Sequence, residues 1–326
     1  MNSTLRQGLC IFIVLLLQSK HALPQDGVPN PEESTPENAS TKTGSTTDET
    51  SPSATTPTKS APDTQAIRLA QLQAAYPPED LMELEANGAK FTSLWKKDQS
   101  GEALGAVLIL PSDGQTANWP NTIDVIRNEL PQDGWSTLSI DIENEIASNS
   151  NATKQAADSE INPDANTARI EAAIAFLHGQ GQYNIVLAGY GHSARRILNY
   201  ASRSDAPGMN RNLKSTQGTK LKRPVRALIL ISPLSLEGER LSSKLGKFPY
   251  KDMPILDIIF GHHYLDTFDA KARQETARAS RIKHYLQIKS VEPSASAKVF
   301  GQQNRLSRRI RGFLDSHAKG VEIERR

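Results

Sequence analysis

From about residue 65 to residue 320, short apolar runs alternate with segments in which apolar residues recur at helical spacing. The runs 106–110, 225–231 and 255–260 are almost continuously apolar, as expected of strands covered on both faces. The segment 167–177 between them is typical of an amphipathic helix. Strands that alternate with helices predict a mostly parallel sheet with helices on both faces. We therefore expect a single α/β domain of three layers over residues 65–320.

The same pattern predicts the smaller elements of this domain. We expect helices at 67–76, 269–283 and 302–318, a turn at 80–85, an added edge strand at 91–95, and a last strand at 285–291. Asn121 is placed to cap the helix that follows it, and residues 136–142 alternate as in a half-buried strand. Residues 321–326 form a short polar tail.

The amino-terminal residues 1–22 have the layout of a secretory signal peptide. Arg6 precedes the apolar run 8–17, and small and polar residues follow as far as Ala22. A run of ten residues is too short to cross a hydrocarbon core of about 30 Å, although an uncleaved anchor is the alternative. Cys10 is the only cysteine, so the cleaved chain would contain no disulfide and no thiolate site. These features predict export across the inner membrane to a bacterial periplasm.

Residues 23–64 are rich in Ser, Thr, Pro and Glu and contain seven acidic against two basic residues. Such a segment buries too little apolar surface to fold, so we expect a disordered linker that acts as a spacer or a partner-binding tail. The whole chain carries a formal charge of +2, which leaves the folded part mildly basic. The loop 203–226 is basic but lacks interleaved aromatic residues, which argues against nucleic-acid binding and favours a solvated insertion.

The segment 184–200 reads as strand, sharp turn and helix. In α/β hydrolases this junction is the nucleophile elbow, G-x-S-x-G, where a strained turn presents a serine above the sheet. Here the five positions hold Gly189, Tyr190, Gly191, His192 and Ser193. The central residue has no side chain, so the elbow lacks its nucleophile.

Five segments together resemble an uncharacterised bacterial family of exported α/β-hydrolase-like proteins, domain of unknown function 3530. They are residues 105–120, 130–142, 184–194, 226–235 and 253–261. The resemblance implies a hydrolase-like fold and an envelope location, but no substrate. A catalytic hydrolase would also need an acid after a late strand and a histidine after the last one. Asp257, Asp266 and Asp269 could supply the acid, whereas 292–301 contains no histidine.

We therefore predict a binding or envelope-associated module without catalytic residues, cofactor or metal. The alternative is an esterase or other acyl hydrolase with displaced groups: Ser193 as nucleophile, His262 as base and Asp266 as acid. His262, His263 and Asp266 could also be read as metal ligands, but such a run is weakly diagnostic. His178 and His317 are expected on solvated helix ends, and His284 at a strand edge.

The carboxyl ends of the strands predict a ligand-binding mouth. Its candidate residues are Asp113, Gly114, Tyr190, Gly191, His192 and Ser232. The helix after Gly191 would point its free amides at this mouth, which favours a small anionic ligand or an envelope component as partner. Gly191 either lets an anion approach the backbone closely or simply packs the turn.

Overall fold

The computed structural model describes residues 64–143, 165–209, 223–235, 239–261, 264–293 and 303–319. All of them belong to one compact unit, which begins at Ala61. The predictions for the signal peptide, the linker, most of the basic loop, His262 and the polar tail concern residues outside these ranges.

The described part of the chain alternates strands and helices as the apolar pattern predicts. The strands are β1 Leu81–Ala86, β2 Ala89–Lys96, β3 Gly105–Leu110, β4 Trp135–Ile140, β5 Ile185–Tyr190, β6 Val225–Ile231, β7 Ile255–Ile259 and β8 Tyr285–Lys289. The helices are α1 Thr64–Ala75, α2 Thr122–Glu129, α3 Ala165–Gly179, α4 Ser193–Ser202, α5 Leu241–Lys247, α6 Tyr264–Phe268, α7 Ala270–Ala279 and α8 Arg305–His317. Single turns of 3₁₀ helix occur at Leu130–Asp133 and Pro207–Met209.

The strands form one eight-stranded sheet in the order β1-β2-β4-β3-β5-β6-β7-β8. β2 is antiparallel to β1 and to β4, and every later pair is parallel. Parallel strands have their carboxyl ends at one edge of the sheet and their amino ends at the other. We call these the carboxyl edge and the amino edge.

The sheet separates two hydrophobic cores. On β3, Leu108 and Leu110 face one core together with residues of α3 and α4, whereas Val107 and Ile109 face the other with residues of α2 and α8. Every residue of β3 is buried, because helices cover both of its faces. The predicted three-layer α/β architecture is confirmed.

Two predictions about the antiparallel strands are wrong. Residues 80–85, expected to form a turn, contribute to β1, in which Met82 and Leu84 pack against the core while Glu83 and Glu85 point outward. β2 contains 91–95 but is not an edge strand, since it lies between β1 and β4.

Several element ends also differ from the prediction. Asn121 precedes α2 with a φ of 70° and makes no side-chain capping hydrogen bond. β4 is buried at every position instead of alternating, because it lies inside the sheet between β2 and β3. The predicted helix 269–283 is shorter and follows the separate helix α6. None of the helices among the described residues has the length and apolar character of a membrane span.

Candidate functional site

The elbow between β5 and α4 keeps the sharp backbone turn of a nucleophile elbow. Gly191 has a φ of 58°, in the left-handed region that favours glycine. Gly189 is needed as well, because a Cβ there would lie 2.7 Å from the Ala194 nitrogen and still closer to the Ser193 carbonyl oxygen. The backbone that would present a nucleophile is therefore present without the side chain.

The side chain of Ser112 fills the space beside Gly191. Ser112 lies in the loop that follows β3, and its Cβ is 2.7 Å from the position that a Cβ on residue 191 would take. Its Oγ is closer still and accepts a hydrogen bond from the His192 amide, at 3.2 Å. Any residue other than glycine at position 191 would collide with this serine unless the loop moved.

Four amides near the elbow already have acceptors within the protein. In α/β hydrolases the oxyanion hole uses the amide after the nucleophile and one from the loop after β3. Here the His192 amide donates to Ser112 Oγ, and the Ser112 amide donates to Gln115 Oε1, at 3.0 Å. The Ala194 and Arg195 amides donate to the carbonyls of Gly191 and His192. A bound anion would have to displace Ser112 to reach the first of these donors.

Ser112, His192 and Asp113 form a polar cluster at the mouth. Ser112 Oγ lies 3.3 Å from His192 Nδ1, and Asp113 Oδ2 lies 3.6 Å from the same nitrogen. A catalytic triad needs the hydroxyl and the carboxylate on opposite nitrogens of the imidazole, so that one orients the ring while the other exchanges a proton. Because both groups face Nδ1, this cluster lacks the geometry of a relay.

Ser193 serves as a tie between α4 and the loop after β3. Its hydroxyl is fully buried and donates to the Pro111 carbonyl oxygen. Arg196 donates to Ser193 Oγ at 3.2 Å and to Asp113 Oδ1 at 2.6 Å, and both members of this ion pair are buried. The Ser193 hydroxyl therefore has a structural role, because it donates one hydrogen bond to Pro111 and accepts another from Arg196.

The late carboxylates also have structural partners. Asp266 is buried, and its Oδ2 accepts the amides of Phe260 and Gly261, at 2.7 and 3.0 Å. Asp257 is fully buried and forms an ion pair with Arg273, whose Nε lies 2.9 Å from Oδ2. Asp269 accepts two hydrogen bonds from Ser242. The base proposed for the alternative, His262, lies outside the described residues.

A glutamate follows β8, at the position where a hydrolase would have its histidine. Glu292 Oε1 accepts the Tyr190 hydroxyl at 2.8 Å and the Thr122 hydroxyl at 3.1 Å. Burial and the neighbouring carboxylate both raise the pKa of the Tyr190 phenol, so this hydroxyl stays protonated and acts as a donor. A carboxylate that accepts two hydroxyls ties β5, α2 and the end of β8 together.

The predicted mouth residues thus separate into groups. Asp113, Gly191 and His192 come together around Ser112, whereas Tyr190 directs its hydroxyl to Glu292. Gly114 lies in the turn after β3 with a φ of 75°, and Ser232 is buried after β6 with a φ of 42°. Ser112 and Glu292 were missed by the sequence analysis. The available clue to Ser112 was Gly191 at the centre of the elbow, where no side chain occupies the space above the turn.

The strand order, the antiparallel β2 and the elbow after β5 define an α/β-hydrolase fold. Residues 6–316 match the family described as protein of unknown function DUF3530, and the chain belongs to this family. A comparison with curated proteins finds no matching relative.

Solved hydrolase structures share the fold at low sequence identity. An esterase from Pyrococcus furiosus is 11% identical, with a TM-score of 0.51 over 74% of this chain and 95% of the esterase. A second crystal form of that esterase gives 12% identity and a TM-score of 0.50 over 74% and 96% of the two chains. A dienelactone hydrolase from Anabaena variabilis is 14% identical, with a TM-score of 0.47 over 73% and 97%. The likeness to the two Pyrococcus structures supports the fold and leaves activity open.

Proposed function

We propose that this chain is an exported binding module on an α/β-hydrolase scaffold and that its elbow performs no hydrolysis. The observation that carries the proposal is the Ser112 side chain, which takes the room of the missing nucleophile and accepts the His192 amide. Ser112 therefore occupies the space that an attacking group would need. It also accepts the hydrogen bond of one amide that would form the oxyanion hole. Electrostatic stabilisation of a tetrahedral intermediate needs such donors free and aimed at the substrate.

The test is covalent labelling of the full mature chain with a fluorophosphonate probe, together with turnover of short-chain and long-chain esters. We expect neither labelling nor turnover for the wild type. The Pyrococcus furiosus esterase would serve as the positive control for ester turnover. Stoichiometric labelling of wild type that disappears in Ser112→Ala or Ser193→Ala would overturn the proposal.

The second candidate is an acyl hydrolase in which Ser112 is the nucleophile. The contact of 3.3 Å between Ser112 Oγ and His192 Nδ1 favours it, since a base must lie within reach of the proton it takes. Rotation of Ser112 away from Gly191 would also free the His192 amide to bind an oxyanion. In that case Ser112→Ala and His192→Gln would each abolish labelling, whereas Ser193→Ala would leave the labelled site intact.

The proposed location is the bacterial periplasm. It is supported by the signal-like layout of residues 1–22 and by the absence of cysteine after Cys10. Fusing residues 1–64 to a reporter that matures only outside the cytoplasm should give an active reporter. Replacing two leucines of the apolar run with aspartate should abolish that signal, and equal activity of both fusions would contradict export.

The proposed partner is a small anionic ligand or an envelope component.

A further inference from the structure

A cavity of about 210 Å³ opens at the amino edge of the sheet, on the side opposite to the elbow. Its walls come from the residues that lead into β6, β7 and β8 and from the end of α8. The charged and titratable groups that line it are Arg223, Arg226, Asp252, His284 and His317. Pockets for drug-sized ligands measure roughly 300–1,000 Å³, so this cavity fits a smaller molecule.

One guanidinium nitrogen of Arg223 is buried without a hydrogen-bond acceptor among the described residues. The residue is 6% exposed, its Nη2 donates to Asp252 Oδ2 at 2.7 Å, and its guanidinium lies 4.6 Å from the centre of the Tyr250 ring. These contacts hold the group in one orientation. Its Nη1 is buried and has no hydrogen-bond partner among the described residues. A cationic donor that is buried without an acceptor is costly, and an anion in the cavity would supply one.

The other walls add positive charge or the capacity to gain it. Arg226 provides a second guanidinium, and the rings of His284 and His317 lie 5.2 Å apart. Burial, and after it the neighbouring His284, lower the pKa of His317. The opposing carboxylate is Asp252, whose side chain is 49% exposed. A dianion in the cavity would offset the repulsion between the two guanidinium groups.

We propose that this amino-edge pocket binds a phosphate group, with Arg223 and Arg226 as its donors and with His284 and His317 in its wall. Guanidinium groups match phosphate oxygens in geometry and charge, and a fixed arginine loses little entropy on binding. The phosphate could be free or part of a small phosphate ester. The site is separate from the elbow and goes beyond the function proposed above.

Isothermal titration calorimetry of the full mature chain tests the proposal, with inorganic phosphate and glycerol 3-phosphate as the probes. Ionic strength is held constant with chloride at pH 8, where both probes are dianions. We expect saturable binding at one site. Tighter binding of glycerol 3-phosphate would identify a phosphate ester as the ligand, and equal or weaker binding would identify free phosphate.

Three substitutions distinguish phosphate binding in the pocket from attraction of phosphate by general surface charge. Arg223→Gln should weaken binding at least tenfold, and Asp252→Asn should strengthen it at least twofold by removing the opposing carboxylate. Arg308→Gln, an exposed arginine on α8, is the matched control and should change affinity less than twofold. Misfolding cannot increase the affinity for phosphate. The Asp252→Asn variant therefore still tests the proposal if circular dichroism shows that Arg223→Gln is unstable.

The proposal would be overturned if neither probe bound saturably at pH 8. It would also be overturned if Arg308→Gln weakened binding as much as Arg223→Gln, or if Asp252→Asn failed to tighten it. Ser112→Ala serves to separate the two sites, since it should leave phosphate binding unchanged whatever its effect on labelling at the elbow.

Discussion

The two edges of the sheet differ in how their polar atoms are satisfied. At the carboxyl edge, Ser112 and Arg196 supply hydrogen bonds that link the loop after β3 to the elbow. At the amino edge, Arg223 and its neighbours surround a cavity, and a buried guanidinium nitrogen lacks an acceptor among the described residues. In this fold the carboxyl edge is where ligands are expected.

This difference shows that a candidate site can be found from buried polar atoms that lack hydrogen-bond partners, as well as from its position in the fold. The elbow keeps its backbone turn, yet Ser112 occupies the position from which a reaction would start. The amino edge has no motif, yet it combines positive charge, a cavity and a donor without an acceptor. Four perturbations test this contrast, in order of decreasing expected effect.

Breaking the ion pair that closes the carboxyl edge should have the largest effect. Arg196→Met leaves Asp113 buried without its principal cation, and removing one member of a buried pair costs about 3–5 kcal/mol. Urea unfolding followed by circular dichroism measures the loss. The double variant Asp113→Asn/Arg196→Met should lose less than the single one, because no buried charge remains. A loss below about 1 kcal/mol in the single variant would show that the pair is not essential to the edge.

Restoring a serine at the elbow should destabilise the fold. Gly191→Ser combines a left-handed backbone with a collision against Ser112, for a total of about 2–4 kcal/mol. Gly114→Ser is the matched control, because Gly114 has a φ of 75° but no atom near its Cβ position. The difference between the two unfolding free energies isolates the collision. Adding Ser112→Gly should recover that difference, and equal losses at both glycines would show that Ser112 does not block the elbow.

Removing the hydroxyl of Ser193 should have an intermediate effect. Ser193→Ala leaves the Pro111 carbonyl without this donor and deprives Arg196 of one acceptor, which costs about 1–3 kcal/mol. The same variant should leave fluorophosphonate labelling at the level of the wild type. Ser316→Ala, an exposed serine on α8, is the control and should change stability by less than about 0.5 kcal/mol.

The smallest effect concerns a third imidazole, that of His178 at the end of α3. Burial lowers the pKa of His178, and its ring stacks on Tyr183 at 5.4 Å between centres. As pH falls through about 6.5, the unfolded chain takes up a proton more readily than the folded one, so this residue lowers stability in acid. His178→Phe keeps the stacking but cannot titrate. The urea midpoint of this variant should therefore fall less between pH 8 and pH 5.5 than that of the wild type, and an unchanged fall would assign the effect to other groups.

Much of the fold could be predicted from the sequence, because strands buried on both faces appear in it as continuous apolar runs. β3, β6 and β7 were predicted in this way, and so was the elbow. β1 was missed, although the alternation of Met82 and Leu84 with two glutamates is typical of a half-exposed strand.

The sites were harder to predict because they depend on contacts between distant segments. Ser112 and His192 are 80 residues apart, and only the pairing of β3 with β5 brings them together. His317 was expected on a solvated helix end, yet the packing of α8 places its ring against His284. The sequence identified the empty elbow, whereas the residue that fills it required the three-dimensional structure.

The interlock of Gly191 with Ser112 has an evolutionary consequence. A descendant of this chain could place a serine at position 191 with the least loss of stability if position 112 changed as well, because the serine alone would collide with Ser112. Each of the two residues therefore constrains which substitutions the other can accept.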